Sequence, residues 1–167
     1  MREKNSTEGA TGSGVTRQVL TFALGAEVYG VDILRVKEIR GWAPVTRIPQ
    51  SPASVLGVLN LRGAIVPIID LRVRFAMPKV EFNAVTVVIV LSLRTDQGQR
   101  ECGIVVDSVR DVVDILADSI LPAPSMAARD ASDFIEGIAT IDDQMVILFN
   151  ADCLVSGELS SDACIAA

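Results

Sequence analysis

Histidine is absent from this sequence, and with it the side chain that most often serves as a general base near neutral pH. Neither a Ser-His-Asp nor a Cys-His constellation can be assembled. Cysteine is scarce: Cys102, Cys153 and Cys164 form an odd set at unrelated spacings, with no CxxC pair. A metal or redox centre therefore has little to be built from, and the thiols are expected to act as small apolar residues. Long apolar runs are missing as well. The longest, Val85–Leu91, includes Thr86 and falls far short of the roughly 20 residues that span a bilayer. The polar start, 1–16, lacks the apolar core of a secretory signal, so a cytoplasmic protein with no direct membrane insertion is expected. Basic charge is also short: 15 Lys and Arg stand against 21 Asp and Glu, a net charge of −6. That balance repels phosphate backbones, and no nucleic-acid partner is expected. Gly9, Gly12 and Gly14 come after no strand pattern, so no phosphate-binding loop is implied.

The residues present are mainly aliphatic. Half of the residues are hydrophobic and only seven are aromatic (five Phe, one Trp, one Tyr), so the apolar weight falls on Val, Ile and Leu in short runs. That composition predicts an all-β fold, with at most short helices. In 18–24, Leu20, Phe22 and Leu24 share one face by the two-residue period. Gly25-Ala26-Glu27 turns into a second strand from Val28. Val85–Leu91 is apolar on both faces, which suits a strand buried on both sides. The polar loop 94–99 leads into a partner strand, 101–106. Val105, Val109, Val112 and Leu116 fit a helical face, but five valines between 105 and 113 favour a strand. Short helices are signalled at Ser51-Pro52 with 53–57, closed by Gly57, and at 131–136, closed by Gly137.

The sequence repeats itself. Residues 57–70 align without gaps on 137–150, each copy reading strand, polar turn, strand, then Asp70 or Asn150 placed to cap the next turn of chain. Upstream, 29–39 resembles 102–112, with Gly30 matching Gly103. Two lobes of about five short strands, roughly 65–75 residues each, are the consequence; each would form a small closed barrel and pack on the other. The expected organisation is a tail at 1–16, a domain over 17–155 and a tail at 156–167. The first lobe is placed at about 30–80 and the second at about 85–150, with the N-terminal strand free to pack across both. The cleft between lobes is the natural ligand site. Asp142-Asp143 falls at the hairpin turn, which explains the paired acids without a metal.

The ordered segments 29–41, 45–49, 57–63, 65–71, 103–107 and 121–124 together resemble the CheW family of chemotaxis coupling proteins over about 18–155. Tyr29-Gly30-Val31-Asp32-Ile33 and Asn60-Leu61-Arg62-Gly63 are the most characteristic. The resemblance implies two SH3-like five-stranded barrels and a non-catalytic adaptor without cofactor or metal. It implies two partners: the regulatory domain of a CheA-type histidine kinase and the cytoplasmic tip of a chemoreceptor. A stand-alone coupler, monomeric when free and associated with receptor arrays, fits the length.

Under that resemblance the receptor-facing candidates are Ile33, Val36, Glu38, Arg62, Val105 and Val106, with Glu38 and Arg62 as a pair and the four apolar residues as a groove. The kinase-facing candidates are Ile39, Val45, Ile48, Leu56 and Gly57. Each has a plainer reading: a solvated turn arginine and strand glutamate worth ~0–1 kcal/mol if paired, barrel core for the valines, helix termination for Gly57. Trp42 is either an exposed anchor or a cover for the core. The rival functions are a coupler in a non-chemotactic receptor–kinase pathway and a small-ligand-binding protein or enzyme using the interlobe cleft.

Overall fold

The computed structural model describes residues 15–75, 77, 78, 80–95, 98–122 and 135–152. Residues 1–14 of the expected tail at 1–16, the expected tail at 156–167, Cys153, Cys164 and residues 131–134 of the helix expected at 131–136 lie outside these residues; Thr16, assigned to the tail, already begins a strand, and Ile135 and Glu136, assigned to the helix, begin one as well. Ten strands succeed one another: β1 (Thr16–Leu24), β2 (Glu27–Asp32), β3 (Val36–Gly41), β4 (Val55–Leu61), β5 (Ala64–Asp70), β6 (Val87–Thr95), β7 (Gly98–Val106), β8 (Ser108–Leu116), β9 (Ile135–Ile141) and β10 (Gln144–Phe149). A short helix, α1 (Leu71–Arg74), and 3₁₀ turns at Ile33–Arg35 and Ala117–Ser119 lie between them, and Ala151 and Asp152 are again helical. The β-rich reading holds, and the valine-rich segment after Asp107 is indeed a strand.

The strands form two five-stranded sheets, ordered β8-β1-β2-β10-β9 and β3-β6-β7-β5-β4. Each curls round an apolar interior. Val19, Val28, Ile115, Ala139, Val146 and Leu148 fill one; Leu61, Val66, Ile68, Val88, Val90 and Val105 fill the other. A third and larger core lies between the sheets, where Leu20, Phe22, Leu24 and Tyr29 of one meet Ile69, Ile89, Leu91 and Ile104 of the other. This explains the strand that looked apolar on both faces. In β6, Val88 and Val90 point into a barrel while Ile89 and Leu91 point into the core between barrels.

The repeat is visible strand for strand, β1–β5 matching β6–β10, but sheet membership does not respect the division into 30–80 and 85–150. The first sheet takes β1 and β2 from one copy and β8–β10 from the other; the second takes β6 and β7 with β3–β5. The two copies are crossed. Parallel pairing makes the crossing explicit: Gly30 of β2 lies opposite Leu148 of β10, and Gly103 of β7 opposite Ile68 of β5. The chain passes between sheets only at Ile33–Arg35 and at Asp107 among these strand-to-strand steps of each copy's second and third strands.

Each passage is pinned in the same way. Arg72 of α1 donates to the Asp107 carboxylate at 2.6 Å, and the Gly25 N–H donates to it at 2.8 Å. Arg35 donates to the Asp152 carboxylate at 2.7 Å, and the Arg94 N–H donates to it at 2.8 Å. Asp70 accepts from the Arg72 N–H and Asn150 from the Asp152 N–H, both at 2.9 Å. The capping predicted from sequence is therefore present in both copies.

The helix expected at 53–57 does not form. Gly57 lies inside β4 at a bulge, with φ +156°, and Gly137 lies inside β9. A Cβ on Gly57 would sit 2.3 Å from the carbonyl oxygen of Thr46, and one on Gly137 would sit 2.7 Å from that of Leu121. Both glycines admit a crossing segment, paired as Thr46↔Val58 and Leu121↔Ile138, so they serve close approach and not helix termination.

Candidate functional site

Strand β3 forms one edge of its sheet, and its residues alternate half-buried and exposed from Val36 to Gly41. Val36 and the preceding Ile33 are half-buried and pack against the core between the barrels. A bulge separates Val36 from Glu38, so Val36 pairs with Leu91 and Glu38 with the next residue, Val90; 23% of the Glu38 side chain is exposed. The β4–β5 turn brings Arg62 to it. Arg62 has φ +55° and Gly63 φ +90°, the two positive values of a tight hairpin turn, and the Asn60 side chain accepts from the Gly63 N–H at 2.9 Å. The Arg62 guanidinium, 77% exposed, donates to Glu38 Oε1. From the same strand, Arg40 Nη1 donates to Glu38 Oε2 at 3.3 Å. One carboxylate thus holds two guanidinium groups. Hydrogen bonding to Arg62 first, then the two arginine charges, holds Glu38 below the usual carboxylate range against partial desolvation.

The barrel of β8, β9 and β10 supplies an internal comparison. By the repeat, Glu38, Arg40 and Arg62 correspond to Asp111, Val113 and Asp142. Its hairpin makes the same turn, with φ +50° at Asp142 and +65° at Asp143. Two acids cannot pair with each other, so the repeat has no counterpart of the arginine–glutamate network at these positions. The fold is achieved there without one, so the network around Glu38 is not something the architecture demands. Arg40 escaped the sequence reading; its signal was the alternation Lys37-Glu38-Ile39-Arg40 along an edge strand, which puts the acid and the second base two residues apart.

The structure separates the expected groove residues. Ile33 and Val36 reach the surface, but Val105 and Val106 are buried, the first inside a barrel and the second in the core between barrels. Alternation along β7 sends neighbours to opposite faces, and both faces are covered. The plainer reading, barrel core, describes these two valines.

Of the other expected set, Ile39, Val45, Ile48 and Leu56 are exposed or half-buried, and Gly57 is buried. Ile39 is exposed. Ile48 and Leu56 line an open concavity together with Arg47, Pro52 and Val55. Val45 and Leu56 pack partly against the barrel interior. Local turns fix the loop after β3: Ser51 Oγ donates to the Ile48 carbonyl at 2.9 Å, the Val55 N–H to that of Pro52 at 3.0 Å, and the Trp42 N–H to that of Thr86 at 3.0 Å. Gly57 is buried beneath this loop and offers no surface. Trp42 is half-buried, packs on the interior and meets the Phe82 ring at 4.5 Å, so it covers the core.

Among the described residues no helix is long and apolar enough to cross a membrane. The paired acids Asp142-Asp143 occupy the β9–β10 turn, as their position in the repeat required.

Comparison with known proteins gives one result throughout. A family model described as a CheW-like domain matches residues 18–158. The chemotaxis protein CheW of Klebsiella aerogenes is 48% identical over 147 residues, which cover 88% of this chain and 86% of that protein. The chemotaxis protein CheW of Bacillus subtilis is 30% identical over 146 residues, covering 87% and 91%. The crystal structure of the scaffolding protein TtCheW from Thermoanaerobacter tengcongensis superimposes with a TM-score of 0.76 at 34% identity, covering 84% of this chain and 92% of that one.

Proposed function

The chain belongs to the CheW-like family, and from that premise we propose that it is a non-catalytic adaptor joining chemoreceptors to a CheA-type histidine kinase in bacterial chemotaxis. The observation that carries the surface assignment is the Arg62–Glu38–Arg40 network, built in one barrel and without a counterpart in its repeat. With Ile33 and Val36 beside it, this network forms the receptor-facing surface; Val105 and Val106 support it from below. Ile39, Val45, Ile48 and Leu56 form the kinase-facing edge. The protein acts as a monomer when free, in the cytoplasm, and joins the receptor array through these two surfaces.

The core between the barrels supports a rigid coupler. An adaptor that holds two partners in fixed geometry transmits a receptor change only if its contacts differ in free energy between kinase-on and kinase-off arrangements. A chain with its largest apolar core between its lobes passes such a difference on instead of absorbing it by bending.

Calorimetry with a CheA-type regulatory domain and with a receptor-tip fragment tests the assignment. Ile48→Asp is expected to weaken kinase binding by roughly 100-fold, a buried-anchor loss of ~3 kcal/mol, and to leave receptor binding intact. Arg62→Ala should do the reverse. Loss of both affinities in both variants would remove the two-surface assignment; no binding by the unaltered chain would remove the adaptor reading.

A further inference from the structure

The two ion pairs that pin the passages between sheets occupy matching places in the repeat but carry opposite signs. Arg72, just after the first hairpin, corresponds to Asp152, just after the second. On the passages, Arg35 stands one position beyond the counterpart of Asp107. One pin takes its base from the passage, Arg35 to Asp152 at 2.7 Å; the other takes its acid from there, Arg72 to Asp107 at 2.6 Å. Either polarity closes a pin, so neither pin demands its own sign. The combination does more. Parallel pairing lays the ends of β2 and β10 side by side, and likewise those of β7 and β5, which brings each base to an acid. Were β2 to take β5 in the same geometry, and β7 to take β10, Arg35 would face Arg72 and Asp107 would face Asp152. These side chains are between 10% and 37% exposed, and like charges so placed repel with little screening.

The wrong choice is also the near one. β2 ends at Asp32, β5 begins at Ala64 and β10 only at Gln144, so pairing with β5 closes the shorter loop at the smaller entropic cost. Local shape does not separate the two candidates. Ile68 of β5 and Leu148 of β10 hold matching positions, and each lies opposite a glycine of the strand it pairs with, Gly103 or Gly30. We propose that the opposed signs of the two pins direct β2 to β10 and hold it off β5 while the chain folds. Arg35 and Arg72 reject each other in the near pairing, and Asp107 and Asp152 do the same. The code concerns how the crossed fold is reached and is independent of the adaptor reading.

Refolding from urea, followed by Trp42 fluorescence, tests the code in the full chain and in three variants. The first has a neutral pin, Arg35→Gln/Asp152→Asn. The second has a reversed pin, Arg35→Asp/Asp152→Arg. The third adds Arg72→Gln/Asp107→Asn to the reversed pin. The reversed pin keeps opposite charges in the native contact, but its new acid also suits Arg72 and its new base suits Asp107. The share of chains refolding in the fast phase is expected to fall several-fold with the neutral pin and further with the reversed one. It should recover in the third variant, although that chain has lost a second native ion pair. The second and third variants both lack the carboxylate that accepts from the Arg94 N–H, so that loss cannot imitate the recovery, and proline-limited phases are common to all four chains. A role in native stability alone gives the opposite order, with the reversed pin at or above the neutral one and the third variant worst; that order would overturn the proposal. If urea melts show that the reversed pin does not fold, the neutral pin decides, and refolding equal to that of the unaltered chain overturns the proposal.

Discussion

At the scale of single residues, Gly57 has the least freedom to change. Its φ of +156° is open to glycine and closed to other residues, and Thr46 occupies the space a Cβ needs. Gly57→Ala should cost about 2–4 kcal/mol, the backbone penalty and the steric conflict acting together, and urea denaturation would read it directly. Any binding defect of such a variant then reports folding. Cys102 lies at the opposite extreme of chemistry. It is fully buried and burial pushes its thiol up, so little thiolate exists for attack. Alkylation of the Cys102 peptide, measured by mass spectrometry, should therefore proceed at the rate of global opening. Glu38 gives a pH dependence. Its folded value is lowered, so its stabilising contribution is complete above the ordinary carboxylate range and is lost as pH falls through the folded value. The urea midpoints of Glu38→Gln and the unaltered chain should differ near neutrality and converge as the pH falls below the ordinary carboxylate range. Glu38 and Arg62 were legible as a pair through the family resemblance; by residue type alone a turn arginine and a strand acid read equally as solvated surface charges. Val105 and Val106 were not separable from a groove, because a strand covered on both faces reads as a plain apolar run whether its cover is a core or a partner.

At the scale of elements, the hairpins were the most legible features. Two copies of strand, turn, strand fixed their turns at Arg62-Gly63 and Asp142-Asp143, and both form with paired positive φ values. The second turn has aspartate where glycine is preferred, so Asp143→Gly should raise stability by about 0.5–1 kcal/mol, visible as a higher melting temperature. The false helix at 53–57 came from reading Ser-Pro and a following glycine as local start and stop signals. Local capping chemistry is permissive there, and a long-range demand overrides it: β4 needs a glycine so that the chain at Thr46 can cross it. Signals that depend on near neighbours were read correctly where the structure is local. They failed where a distant segment set the backbone.

At the scale of the molecule, the repeat was legible but its crossing was not. Matching offsets tell which strands are equivalent; they do not tell whether β2 pairs within its own copy or with β10 of the other. The choice is made by the passages at Ile33–Arg35 and Asp107, each too short to turn back and each pinned by an ion pair. Because the core between the barrels joins both sheets, Phe22→Ala should cost about 3–5 kcal/mol and lower the stability of both barrels together. Calorimetry should show a single transition in the variant and in the unaltered chain. Two separate transitions would mean that the barrels melt independently.

The crossing also decides what can be inherited, trimmed or expressed as a piece. No cut near residue 80 yields a whole barrel of the first kind, because that sheet borrows strands from both sides of it, and so does the other. A fragment ending after β5 would carry three strands of one sheet and two orphans of the other, each with bare edges inviting aggregation. A ribosome nevertheless completes the two sheets at different times: β3–β7 run consecutively and are all delivered by Val106, whereas the other sheet holds β1 and β2 with bare edges until β8–β10 have followed.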